Sequence, residues 1–277
     1  NIGPSKLEKA QKFEITIHNL SANYSNPFDL SDIRITGQFT SPSGKLTEVL
    51  AFFDGSLFKV RFSPDEIGTW SFKLLLSDNV DFAATAPDEF ICIESEHHGR
   101  IGISPFDSRY LAFSDSTAFV GIGQNLPWYI ERYPQFWSLM TSNKCNLFTY
   151  WLPAWDHSLL LSNTTGQYDT FSARQIDAII EKCEQNNIFV IFTIWNHHWL
   201  DEKSDNSSWT KNPFRHIDPK VQEFFSSQVS WEWQENYYQY IISRWGYSKA
   251  IAMWQTVERL EETGAGDKGD IWHEQMT

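Results

Sequence analysis

A change of period part-way along the chain constrains its fold more than any other feature. Between residues 13 and 94 apolar and polar residues alternate in short runs, as in Phe13-Glu14-Ile15-Thr16-Ile17, Ile33-Arg34-Ile35 and the series Trp70, Phe72, Leu74. Period two sends alternate side chains to one face, the signature of antiparallel strands buried on one side. Turn residues punctuate the runs at Asn26-Pro27, Ser41-Pro42-Ser43-Gly44, Asp54-Gly55 and Asp65-Glu66-Ile67-Gly68. About seven strands in roughly ninety residues predict an immunoglobulin-like β-sandwich over residues 1–96.

After a linker and entry segment at 97–116, continuous apolar runs alternate with helical stretches. Strands are expected at 118–122, 146–152, 188–194 and 251–257, and helices at 134–141, 172–185 and 223–245. Ile176, Ile179, Ile180 and Cys183 fall on one face of the second helix. Trp231 and Trp233, at alternate positions of the third, are expected on different faces, with at least one exposed. Strands apolar on both faces and alternating with helices predict a parallel sheet. Without a Gly-rich phosphate loop, these units fit the first half of a TIM (β/α)8 barrel over 117–277 better than a nucleotide fold. The expected whole is thus a multidomain β plus α/β chain, a sandwich followed by a partial barrel. Because a full barrel takes roughly 250 residues, self-association or a missing C-terminal half is expected to cover the open sheet.

Composition narrows the partners. The net charge is −13, with 22 Lys and Arg against 35 Asp and Glu, which speaks against a nucleic acid, whose phosphates require a basic cluster. No apolar run approaches the roughly twenty residues of a membrane span. The chain holds 13 Trp, 10 Tyr and 21 Phe, rings that fill cores and also stack on the apolar faces of sugars, so a neutral carbohydrate is the expected partner. Cys92, Cys145 and Cys183 are widely separated and read as buried thiols. The eight histidines show no HExxH spacing, and neither metal nor cofactor is expected. The lack of an initiator Met fits a removed leader or an arbitrary start equally, leaving secreted, periplasmic and cytoplasmic sites open.

Several stretches carry a more specific likeness: Asn26-Pro27-Phe28-Asp29, Phe53-Asp54-Gly55, Val60-Arg61-Phe62-Ser63-Pro64-Asp65-Glu66-Ile67-Gly68-Thr69-Trp70, Gly121-Ile122-Gly123-Gln124-Asn125, Asn196-His197-His198, Asn212-Pro213-Phe214 and Arg244-Trp245-Gly246-Tyr247-Ser248. With them the chain resembles cellulase-like glycoside hydrolases of the retaining (β/α)8 clan that carry an N-terminal Ig-like domain. The resemblance implies hydrolysis of a β-linked poly- or oligosaccharide by two carboxylates about 5 to 5.5 Å apart, on strands four and seven. This chain departs from the family at two places. An ungapped comparison puts the family acid on Arg259 and gives Glu258 the preceding amide position, and Thr149 stands where the clan has an arginine.

Barrel chemistry gathers where strands end. The expected mouth therefore takes Asn125 and Trp128 from strand one, Trp151, Trp155 and Asp156 from strand two, Asn196, His197, His198 and Trp199 from strand three, and Glu258 from strand four. Glu258 is the candidate acid/base, because Trp-rich surroundings disfavour a charged carboxyl. Its plainer role is a solvated carboxylate in the run Glu258-Arg259-Leu260-Glu261-Glu262. His197 and His198 are expected to point to opposite sides, so that one faces the sugar. Trp128, Trp155 and Trp199 sit in polar stretches suited to stacking, whereas Trp195 belongs to the core. The alternatives are a catalytically inactive carbohydrate-binding protein and a truncated barrel fragment.

Overall fold

A computed structural model describes residues 1–18, 20, 24–78, 81–126, 130–152 and 157–276. Trp128, Trp155 and Asp156 lie outside the described residues.

Nine strands are described before residue 97: β1 (Lys6–Glu8), β2 (Phe13–Ile17), β3 (Ile33–Thr40), β4 (Leu46–Leu50), β5 (Phe52–Phe53), β6 (Phe58–Phe62), β7 (Gly68–Asp78), β8 (Phe82–Ala84) and β9 (Asp88–Ile93). They make two sheets, one in the order β1-β9-β7-β3-β4 with β8 against β7, the other in the order β2-β6-β5. Along β3 the buried residues are every second one, starting at Ile33, as the alternation predicts. The buried faces meet through aromatic rings: Phe13 of β2 stacks on Phe90 of β9 at 4.3 Å, and Phe62 of β6 on Phe39 of β3 at 4.1 Å.

A small antiparallel sheet of β10 (Ile101–Ile103), β11 (Leu111–Phe113) and β12 (Ala118–Phe119) follows. Here one expectation fails, since 118–122 is not the first parallel strand. Val120 and Ile122 are exposed, and the Asn146 side chain accepts from the Ile122 N–H and donates to the Val120 carbonyl. A side-chain amide thus meets the backbone polarity that a neighbouring strand would otherwise satisfy.

The parallel sheet runs β13 (Gly123–Asn125), β14 (Leu147–Trp151), β15 (Phe189–Asn196), β16 (Ile251–Glu258), in that spatial order. α1 (Tyr133–Ser142) links the first two strands, α2 (Thr170–Asn186) the next two, and α3 (Val221–Phe224) with α4 (Gln228–Trp245) the last two; α5 (Gly269–Met276) follows β16. Asp169 starts α2 by accepting the Phe171 N–H. Ile176, Ile179, Ile180 and Cys183 are buried in one core with Phe148, Val190 and Phe192 of the strands. The helix expected over 223–245 is broken, because Ser227 caps a new helix by accepting the Ser230 N–H. Trp231 and Trp233 are both half-buried rather than one exposed: Trp231 packs on Tyr238, and Trp233 lies over Gly166, whose φ of 76° and lack of a side chain admit the ring. Cys92 and Cys183 are buried, but Cys145 is only half-buried.

The two parts are joined through buried charge. Asp177 of α2 accepts from Arg61 of β6 at 2.7 Å, from Arg244 of α4 at 2.7 Å and from the Trp245 indole at 2.8 Å. Arg244 also donates to Asp54 at 2.8 Å, and Arg61 to the Arg244 carbonyl at 3.1 Å. Arg61 and Arg244 are 4 % and 0 % exposed, so neither charge has water as an alternative partner. Burial pushes the Asp177 carboxyl up, but the hydrogen bonds and charges of Arg61 and Arg244 outweigh it and hold it at about 2. Within the Phe53, Val60 and Arg244 motifs, Asp54, Arg61 and Arg244 thus form the joint between the two parts. At the two edges of the parallel sheet β13 is exposed, as are Met253 and Trp254 of β16.

Candidate active site

The four parallel strands end in steps: β14 runs past the end of β13, β15 runs past the end of β14, and β15 and β16 end level. Gln124 and Asn125 of β13 stand opposite Phe148 and Thr149 of β14, Trp151 of β14 opposite Thr193 of β15, and Asn196 of β15 opposite Glu258 of β16. A hydrogen bond of 2.6 Å between Thr193 and Gln255, partners across β15 and β16, pins the register that sets Asn196 beside Glu258. Of the residues expected at the mouth, Trp151, Asn196, His197, His198 and Glu258 are brought together. Asn125 sits at the exposed end of β13, with β14 between it and the strand that carries Asn196.

Glu258 is bound through both carboxylate oxygens. His197 Nδ1 lies 2.7 Å from Oε2, and Arg259 Nε lies 3.1 Å from Oε1. The carboxylate side chain is 16 % exposed and that of His197 is 7 % exposed, so the contact is sheltered from water and little screened. On its other nitrogen, Nε2, His197 faces Glu262 at 3.4 Å. The strand ends abruptly after Glu258 because Arg259 takes a φ of 55°, a left-handed conformation costly for a residue with a side chain. That turn sends the chain into the Leu260–Glu262 turn and brings Glu262 back beside His197.

The expectation that the two histidines diverge is overturned. Residues His197–Leu200 form a 3-10 turn rather than an extension of β15, and the two imidazoles lie 3.8 Å apart. Alternation ends with the strand, so both rings lie on the same side, flanked by Trp151 at 6.2 Å from His197 and 6.5 Å from His198. Burial, and then the neighbouring His197, push His198 below the ordinary imidazole value.

Trp199 is not in an open loop, being only 5 % exposed. Its carbonyl accepts from the side chain of Asn212, which also takes the Phe214 N–H and is fully buried. The motif Asn212-Pro213-Phe214 is therefore the lock on this loop. Trp199 stands in the wall of a groove of about 600 Å³ between the segments after β14 and β15, with His157, Asp169, Ser208 and Lys211. A second cavity, about 360 Å³, lies at the opposite, amino-terminal end of the strands against Asn146, Phe189 and Lys249. Among the described residues, no group of three or more His, Cys, Asp or Glu is arranged to hold a metal ion, and no helix is long and apolar enough to cross a membrane.

Sequence reasoning passed over Glu262 as a functional residue. Its signal was the spacing of four from Glu258, which a strand end followed by a tight turn converts into proximity.

A family model described as "Domain of unknown function (DUF5060)" matches residues 6–77, within the β-sandwich. No curated protein matches the chain. Among solved structures, the chain is similar to a presumed glycoside hydrolase from Bacteroides vulgatus, at a TM-score of 0.71 and 15% identity over 97% of this chain and 53% of that one. A far looser likeness, TM-score 0.33 and 10% identity over 99% of this chain and 60% of the other, is to a Bacteroides ovatus GH5 xyloglucanase. The chain spans about half the length of the B. vulgatus protein, and over that span it has a glycoside hydrolase-like fold.

Proposed function

We propose that the chain is a glycoside hydrolase acting on a β-linked poly- or oligosaccharide, with an Ig-like sandwich at 1–96, a link at 97–116 and the first half of a TIM barrel from 117. The observation that carries the reading is the placement of Glu258: it ends a parallel strand opposite Asn196, sheltered from water and 2.7 Å from His197. A carboxyl at the carboxyl end of such strands is where barrel chemistry operates. In this reading Glu258 is the acid/base of a retaining pair, and its partner is the carboxylate that the family resemblance assigns to a seventh strand. Asn196, His197, His198 and Trp151 would line the sugar site beside it, with Asn125 and the groove wall at Trp199 further out, and Trp128 and Trp155 as stacking rings.

The test is hydrolysis of aryl β-glycosides by the protein and by Glu258→Gln. General acid catalysis is worth roughly 10²- to 10⁴-fold, and a loss of that size is expected. An unchanged rate removes Glu258 from the mechanism.

Arg259 favours a second function, sugar binding without turnover. Its guanidinium engages Oε1 of Glu258 while His197 engages Oε2, so both oxygens already have partners, and Thr149 stands in place of the expected arginine. Saturable oligosaccharide binding with no product would support it, and hydrolysis by pure protein would exclude it. The truncated-fragment alternative draws on exposed β13 and on Met253 and Trp254 of β16, which predict self-association or a covering half. A monodisperse monomer with one cooperative melt would count against it.

A further inference from the structure

Glu262 has no task in the reading above, yet it closes a ring of charge around the candidate acid/base. It lies 3.4 Å from Nε2 of His197, whose Nδ1 lies 2.7 Å from Glu258. Both of its oxygens are 3.3 Å from Nη1 of Arg259, and the Nε of the same guanidinium reaches the second oxygen of Glu258. Glu258, His197, Glu262 and Arg259 thus alternate acidic and basic groups around a closed circuit.

The hydrogen-bond inventory gives this circuit a consequence. A neutral imidazole has one N–H and one lone pair, so between two carboxylates it donates to one and turns a lone pair towards the other. At 3.4 Å Glu262 is an ion-pair contact of Nε2 and not a hydrogen bond, so it acts on the ring through its charge. Either acid therefore affects how readily the ring offers a hydrogen to the other. Among the described residues His198, on the same turn, also faces His197 and disfavours a second positive charge; Trp151 packs against the pair without charge.

We propose that Glu262 is a positioning residue for Glu258, acting through His197 and Arg259: it faces Nε2 of the ring whose Nδ1 meets one oxygen of Glu258, and it anchors the guanidinium that meets the other. Its side chain is 48 % exposed, so solvent screens it and its influence is modest, shrinking as salt is added. The structural part stands without the hydrolase reading; the effect on turnover rests on that reading.

The experiment is a proton NMR titration of the histidine rings in the full chain, with the His197 signal identified by its loss in His197→Gln. In Glu262→Gln the His197 midpoint is expected to fall at low salt, and by less as salt is added, with His216 as an internal control for intact folding. Glu262→Asp should restore part of the shift, and the pH limb of kcat/KM for aryl β-glycosides should move in the same direction. A His197 midpoint unchanged in folded Glu262→Gln overturns the proposal, even if the wild-type protein hydrolyses glycosides. A shifted midpoint in a protein without any hydrolytic activity leaves the ring intact and refutes the hydrolase reading instead.

Discussion

Removing the charge of Asp177 tests the joint between the sandwich and the α/β part. Asp177→Asn keeps the volume but gives Arg61 and Arg244, 4 % and 0 % exposed, a neutral amide with one acceptor oxygen in place of the carboxylate both reach at 2.7 Å. The carboxyl is held at about 2 against an unfolded 3.8, and with more than a kcal/mol per pKa unit this amounts to roughly 2 to 3 kcal/mol of stability. Arg244 keeps Asp54 and Arg61 keeps Glu14, so the cations are not stranded and the loss is set by the charge removed rather than by the roughly 3 to 5 kcal/mol of a fully broken buried pair. Urea unfolding of Asp177→Asn at neutral pH is therefore expected to show a loss of about 2 to 3 kcal/mol. The sign of the pH dependence follows from the lowered value: the stabilisation is complete above the unfolded value of 3.8 and is lost as pH falls towards about 2. The variant should lack this part of the acid limb. A loss under about 1 kcal/mol, the range of an exposed pair, would refute the argument that this network is sealed from water.

Three further outcomes follow from the same geometry. Gly166→Ala would set a Cβ 2.1 Å from the Trp233 ring at a φ of 76°, so a loss of about 1 to 3 kcal/mol is expected in thermal or urea unfolding. Asn212→Ala removes both the cap of the following turn and the hydrogen bond to the Trp199 carbonyl, and should cost about 1 to 3 kcal/mol and raise proteolysis of the segment after Trp199. A thiol reagent should modify Cys145 first, because burial pushes the Cys92 thiol up to about 11 and the Cys183 thiol higher still; mass spectrometry of the labelled peptides reads the order.

What was legible in the chain was everything governed by near neighbours. Alternation at Ile33-Arg34-Ile35 specified a strand with one buried face, and the spacing of Ile176, Ile179, Ile180 and Cys183 specified the buried face of α2, because side-chain direction follows backbone period. The same logic placed Asn196 and Glu258 at strand ends. It failed at 118–122, where a side chain from residue 146 satisfies the backbone, and at His197 and His198, where a strand gives way to a 3-10 turn and the rule of opposite sides lapses.

Tertiary structure alone decided which distant groups meet. Arg61 and Asp177 are 116 residues apart and His197 and Glu258 are 61 apart, so no local pattern encodes either contact. The sandwich motif Val60-Arg61-Phe62 and the helix-end motif Arg244-Trp245 read as separate markers in the sequence, and only packing shows them sharing one carboxylate. The physical reason is that periodicity reports which face of an element is apolar, whereas the partner, register and protonation of a polar group depend on what the assembled chain sets against it.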